Sequence, residues 1–101
     1  MMFFGGAFSH AVIKRPRPGE FRVQERLGGL IARTDPPSAL IACGRRLLDE
    51  HAPGCLYARV DVVEAADRFV LMEVELVEPS LYLEHAPESA AAFARAVQRI
   101  T

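Results

Sequence analysis

The chain has 101 residues, half of them apolar, a net charge of −1 and two cysteines. That is enough for one small packed domain and argues against intrinsic disorder, a disulfide scaffold or a general, basic nucleic-acid binder. The charge is uneven. Residues 1–50 carry eight Lys/Arg against five acids, and residues 51–101 carry four against eight, so the halves stand at +3 and −4.

Met1–Phe4 and Ala7–Lys14 are apolar runs around Gly5-Gly6, which predicts a β-hairpin. The first run lacks a basic leader and a long apolar stretch, so it does not read as a signal peptide. No run is long enough to cross a bilayer as a helix. Cys43 and Cys55 lack metal-ligand spacing, and a reducing cytoplasmic setting is the expectation. A chain that opens inside a strand predicts that an N-terminal part precedes it. The same reading predicts that Met1–Phe4 lacks part of its cover, which favours self-association.

Lys14 to Glu20 is basic and proline-rich and stops the strand. Phe21–Arg26 and Leu30–Ala32 read as short strands around Gly28-Gly29. Thr34-Asp35-Pro36-Pro37-Ser38 reads as a helix start, capped by Thr or Asp, with proline in the first turn. That helix runs to about Glu50, with Leu40, Ile41, Leu47 and Leu48 as its apolar stripe. Ala52-Pro53-Gly54 ends it.

Tyr57–Val63 and Phe69–Ser80 then read as two strands that carry carboxylates among apolar residues. Side chains at i and i+2 share a strand face, so Glu73 and Glu75 point the same way. If the strands pair through the turn at 64–68, Asp61 joins them. Three carboxylates on one face repel one another and call for a cation or water. Oxygen-only donors suit Mg2+ or Mn2+. An exposed face of an antiparallel sheet, where alternating Glu is ordinary, is the competing explanation. Leu81–Ala86 reads as an irregular link. Pro87-Glu88 opens a last helix to Ile100, with Ala90, Phe93, Ala94, Val97 and Ile100 on one face. His10, His51 and His85 are structural or solvated rather than catalytic. Phe4, Phe8, Phe69 and Phe93 are expected in the core.

Three motifs, in order, carry a resemblance. Ala11-Val12-Ile13-Lys14-Arg15-Pro16 is followed by Gly19-Glu20-Phe21-Arg22-Val23-Gln24 and Gly28-Gly29. Then come Ala58-Arg59-Val60-Asp61 and Met72-Glu73-Val74-Glu75. Together they resemble the C-terminal subdomain of ATP-grasp ligases, closest to the glutathione synthetase-like and ribosomal-protein glutamate ligase-like group. The resemblance spans nearly the whole chain. It implies an α+β fold, an antiparallel β-sheet with two main helices packed on one face. It also implies an ATP- and Mg2+-dependent (or Mn2+-dependent) carboxylate–amine ligase acting through an acyl phosphate.

On this resemblance Asp61, Glu73 and Glu75 hold metal. Arg15, Arg22 and Arg59 are the catalytic cations around the phosphates. Arg15, Arg22, Gly28, Gly29 and Met72 contact the nucleotide, with Met72 near the adenine. The implied partners are ATP, a small carboxylate and amine pair, and a missing N-terminal jaw or a second copy, with no nucleic acid and no membrane. Glu75 stands where the family usually has Asn, and Gln24 stands where Asn is common. The lysines and hinge of the first jaw have no counterpart, so residues 1–101 read as a truncated subdomain with little or no activity alone. The alternative is a non-catalytic α+β binding or assembly module that retains the fold.

Overall fold

A computed structural model describes residues 1–16 and 29–101. The expected strand at Phe21–Arg26, together with Arg22, Gln24 and Gly28, lies outside the described residues.

Among the described residues five strands form one antiparallel sheet in the order β3-β2-β1-β4-β5. These are β1 (Met2–Phe4), β2 (Ala7–Arg15), β3 (Leu30–Thr34), β4 (Tyr57–Ala65) and β5 (Arg68–Glu75). Helix α1 (Ser38–His51) joins β3 to β4, and α2 (Ser89–Ile100) closes the chain. The fold is therefore α+β, an antiparallel sheet with two helices packed on it. Among the described residues no helix is long and apolar enough to cross a membrane.

The β1–β2 hairpin forms where two glycines permit it. Gly5 and Gly6 have φ of 59° and 84°, the left-handed pair that a tight two-residue hairpin turn needs. Pairing then slips by one residue. Met2 faces His10 and Phe3 faces Phe8, so Ser9 is the extra residue of a bulge.

β1 is the shortest strand, yet it occupies the middle of the sheet. Met2 and Phe3 are fully buried and Phe4 nearly so. This reverses the expectation that Met1–Phe4 lacks cover: β2 and β4 flank the segment and a helix lies over each side. Successive strand residues face opposite ways. Phe3 points at α1, where a side chain on Gly44 would meet its ring. Phe4 points at α2, with its ring centroid 5.1 Å from that of Phe93. The two helices thus lie against opposite sides of the sheet rather than sharing one face. Alternating Phe on a central strand supplies a core to both.

On the α1 side, Met1, Phe3, Ala11, Leu48, Ala58 and Val60 form the buried cluster. Fully burying one such large side chain contributes about 1.5–3 kcal/mol. α1 begins later than its sequence suggests. Pro37 occupies the N-cap and no side chain caps the helix, so neither Thr34 nor Asp35 plays that role. On the α2 side, Phe93 packs on Phe4 and Tyr57, while Ile100, expected on the inner face, is exposed at the helix end.

β5 also departs from expectation. It ends at Glu75, and residues 76–82 return as an irregular strap to a short 3-10 turn at Leu83–His85. Phe69, expected in the core, is 43% exposed, and Leu71 and Met72 are more so. β5 is an edge strand, and its Phe69–Met72 stretch is left exposed.

A carboxylate face closed by Arg59

The β4–β5 register assembles the acidic residues. Arg59 lies across from Glu75, Val60 from Val74 and Asp61 from Glu73. Cross-strand partners share a face, and so do residues two apart on one strand. Arg59, Asp61, Glu73 and Glu75 therefore project from one side of the sheet, the side that also carries Phe4 and α2. The valines between them project to the α1 side. A second bulge follows: Asp61 faces Glu73 but Val62 faces Leu71, so Met72 is the extra residue. It is 65% exposed.

Arg59 links the set. Its Nε donates to Asp61 Oδ1 at 2.9 Å and its Nη2 to Asp61 Oδ2 at 3.0 Å, a bidentate fork. The same Nη2 stands 3.0 Å from Glu75 Oε2. Nη1 donates to the Ser80 carbonyl at 3.3 Å. The guanidinium also lies 5.8 Å from the Tyr82 ring centroid. Lys14 Nζ approaches that ring to 5.4 Å. Burial alone would lower the pKa of Arg59, but the bond to Asp61 and the attraction of Asp61 and Glu75 outweigh it and raise it. The cation is thus fixed.

Glu73 completes the group from the solvent side. Its carboxyl is held above the usual range, first by hydrogen bonding with Glu75, then by slight desolvation and the repulsion of Glu75 and Asp61; Arg59 opposes these. Placing Glu73 two residues from Glu75 on one strand face is the cause, since a neighbouring like charge disfavours the ionised form.

His10 pins the strap from the other direction. A carbonyl only accepts, so Nε2–H donates to Leu81 O at 2.8 Å, and Nδ1 accepts from the Ser9 hydroxyl at 2.8 Å. Burial pushes its pKa down, against the raising effect of its bonds to the strap backbone. Immediately after the anchor points at Ser80 and Leu81, Tyr82 adopts a left-handed backbone with φ of 52°, costly for a bulky residue and tolerated where surroundings fix it. His10 is structural, as its isolation in sequence suggests. Tyr82 and Lys14 join the cluster only through the fold, and no sequence spacing signals their meeting.

Of the other residues expected at a nucleotide site, Arg15 and Gly29 lie on the β2–β3 side of the sheet. Arg15 ends β2, paired with Leu30. Alternation from Ala11 puts it on the α1 side, opposite the face that bears Asp61. Gly29 precedes β3. Arg22 and Gly28 fall outside the described residues.

The carboxylates fit a divalent ion only if Arg59 yields. Both Asp61 oxygens and one Glu75 oxygen already bond to it. Among the described residues no group of three or more His, Cys, Asp or Glu is arranged to hold a metal. On the α1 side lies a separate cavity of about 420 Å³, lined chiefly by apolar side chains including Leu40, Leu47, Val62, Phe69 and Leu71. It does not touch the acidic face. No family model, curated protein or solved structure matches this chain.

Proposed function

We propose that this chain is the phosphate- and metal-facing C-terminal part of an ATP- and Mg2+-dependent carboxylate–amine ligase of the ATP-grasp kind, silent alone. The observation that carries this reading is the β4–β5 register, which aligns Arg59 and Asp61 with Glu75 and Glu73 on one face. In such ligases the metal supplies charge neutralisation while an acyl phosphate forms. The chain's own contribution is a set of carboxylate oxygens and a bidentate cation. A guanidinium fork accepts carboxylate or phosphate with the same geometry. Arg59 therefore exchanges Asp61 and Glu75 for phosphate oxygens when a nucleotide arrives. Without nucleotide the face stays closed, in keeping with the absence of turnover expected of the isolated chain.

Calorimetric titration with ATP, with and without Mg2+, tests the proposal. Binding that requires Mg2+ and is lost in Glu73→Ala and Asp61→Ala supports it. Measurable ATP-dependent turnover by the 101-residue chain contradicts its silence. One observation favours a second reading, a non-catalytic α+β binding or assembly module. Arg59 is 8% exposed and satisfied wholly within the chain, as in a purely structural ion pair. Full folding with no response to Mg2+ or nucleotide supports that reading instead.

A further inference from the structure

β5 is an edge strand of eight residues, Arg68–Glu75. Its centre, Phe69-Val70-Leu71-Met72, is four consecutive apolar residues, each 37–65% exposed. Its outer edge has no strand beside it among the described residues. A long apolar edge is a template for another strand. The opposite edge, β3, has five residues and carries Arg33 within it, which makes it the poorer template.

The ends of β5 say what the other strand is. Arg68 stands at one end, and Glu73 and Glu75 at the other. A strand of the same sequence, laid antiparallel about a two-fold axis, puts each arginine beside the other copy's glutamates and apolar centre against apolar centre. A parallel arrangement would set like charges together.

Side-chain direction agrees. A bulge usually blunts an edge, but the one at Met72 shifts the alternation by one residue. Arg68, Val70, Glu73 and Glu75 consequently share the Arg59 face, and Phe69, Leu71 and Val74 share the α1 face, as their partners on β4 require. Pairing Arg68 with Glu75, Phe69 with Val74 and Val70 with Glu73 of a second copy therefore matches each side chain with its own face. We infer that β5 is a self-pairing edge through which two copies of this chain form an isologous dimer with a continuous ten-stranded sheet. This is independent of any ligase activity.

Sedimentation equilibrium of the full chain in reducing buffer tests it. Arg68 and Glu73 are exposed, so Arg68→Glu and Glu73→Arg should leave the fold intact, which circular dichroism verifies. The wild type is expected to dimerise, and each variant alone to associate at least about tenfold more weakly. An equimolar mixture of the two recovers a dimer, because the acid introduced at position 68 of one copy then lies diagonally beside the base introduced at position 73 of the other. A wild type that stays monomeric to about 100 μM, variants that dimerise like the wild type, or a mixture that fails to recover would each overturn the inference.

Discussion

Removing Arg59 probes the acidic face most sharply. In Arg59→Met the stem volume is kept and the guanidinium is lost. Asp61, Glu73 and Glu75 then face one another without their shared cation, and the Ser80 carbonyl loses a donor. Deleting one partner of a buried ion pair costs about 3–5 kcal/mol. Here the side chain of Arg59 is 10% exposed, but those of Asp61 and Glu75 are 21% and 30% exposed, so water recovers part of the loss. The expected cost is about 2–3 kcal/mol. For a domain of this size that lowers Tm by about 10–20 °C. Urea unfolding of wild type, Arg59→Met, Asp61→Asn and the double variant measures it, and a coupling of about 1–2 kcal/mol is expected between the two positions. Arg59→Met should also gain more stability from Mn2+ than the wild type does, since its carboxylates are then free to bind the ion. A loss under about 1 kcal/mol without coupling would refute the view of Arg59 as the group that closes this face.

Other expectations concern the sheet centre and the strap. His10 has its pKa lowered from 6.5 by burial, so the folded state favours the neutral ring. Its contribution is fully present above pH 6.5 and is lost as pH falls through the lowered folded value. The groups facing His10 are Arg33 from β3 and the Met1 amino group, both of which lower its pKa, Glu88 ahead of α2, and the backbone at Leu81 and Tyr82. Tm should fall with acidification below 6.5 in the wild type and fall less steeply in His10→Gln; equal slopes would remove His10 as the cause. Gly44→Ala should destabilise by about 1 kcal/mol, even though alanine is worth about 1 kcal/mol more than glycine in a helix interior. The added Cβ would stand 2.8 Å from Phe3 Cζ, and Phe3 is fully buried, so overpacking prevails. Denaturant unfolding decides the sign, and a more stable Gly44→Ala would mean that Phe3 and Met1 shift aside.

What the sequence reveals and what it hides have physical reasons. Gly5-Gly6 announces its hairpin because the turn needs left-handed backbone at both positions. Asp61, Glu73 and Glu75 can be placed on one face because strand alternation is local and a short turn fixes the pairing. The division of the helices is written in Phe3 and Phe4, yet it emerges only once β1 is known to lie mid-sheet, a consequence of pairing with β4 more than fifty residues on. The same long-range pairing covers Met1–Phe4. Phe69 looks like core by composition, but which strand forms the edge is decided by sheet order. The Arg59 clamp needs the strap, whose Ser80 and Leu81 carbonyls carry no signal in their residue types. The bulge at Met72 likewise has no turn residue beside it to announce it.

The most direct test of the central claim is to locate a metal–nucleotide complex on the chain. Mn2+ added with ATP to isotope-labelled protein broadens the amide resonances nearest the ion. Broadening is expected to centre on Asp61, Glu73 and Glu75, to depend on both ATP and Mn2+, and to be abolished in Glu73→Ala. Uniform spectra through the titration, or broadening centred on another part of the chain such as the α1 cavity at Leu40 and Leu47, would contradict it.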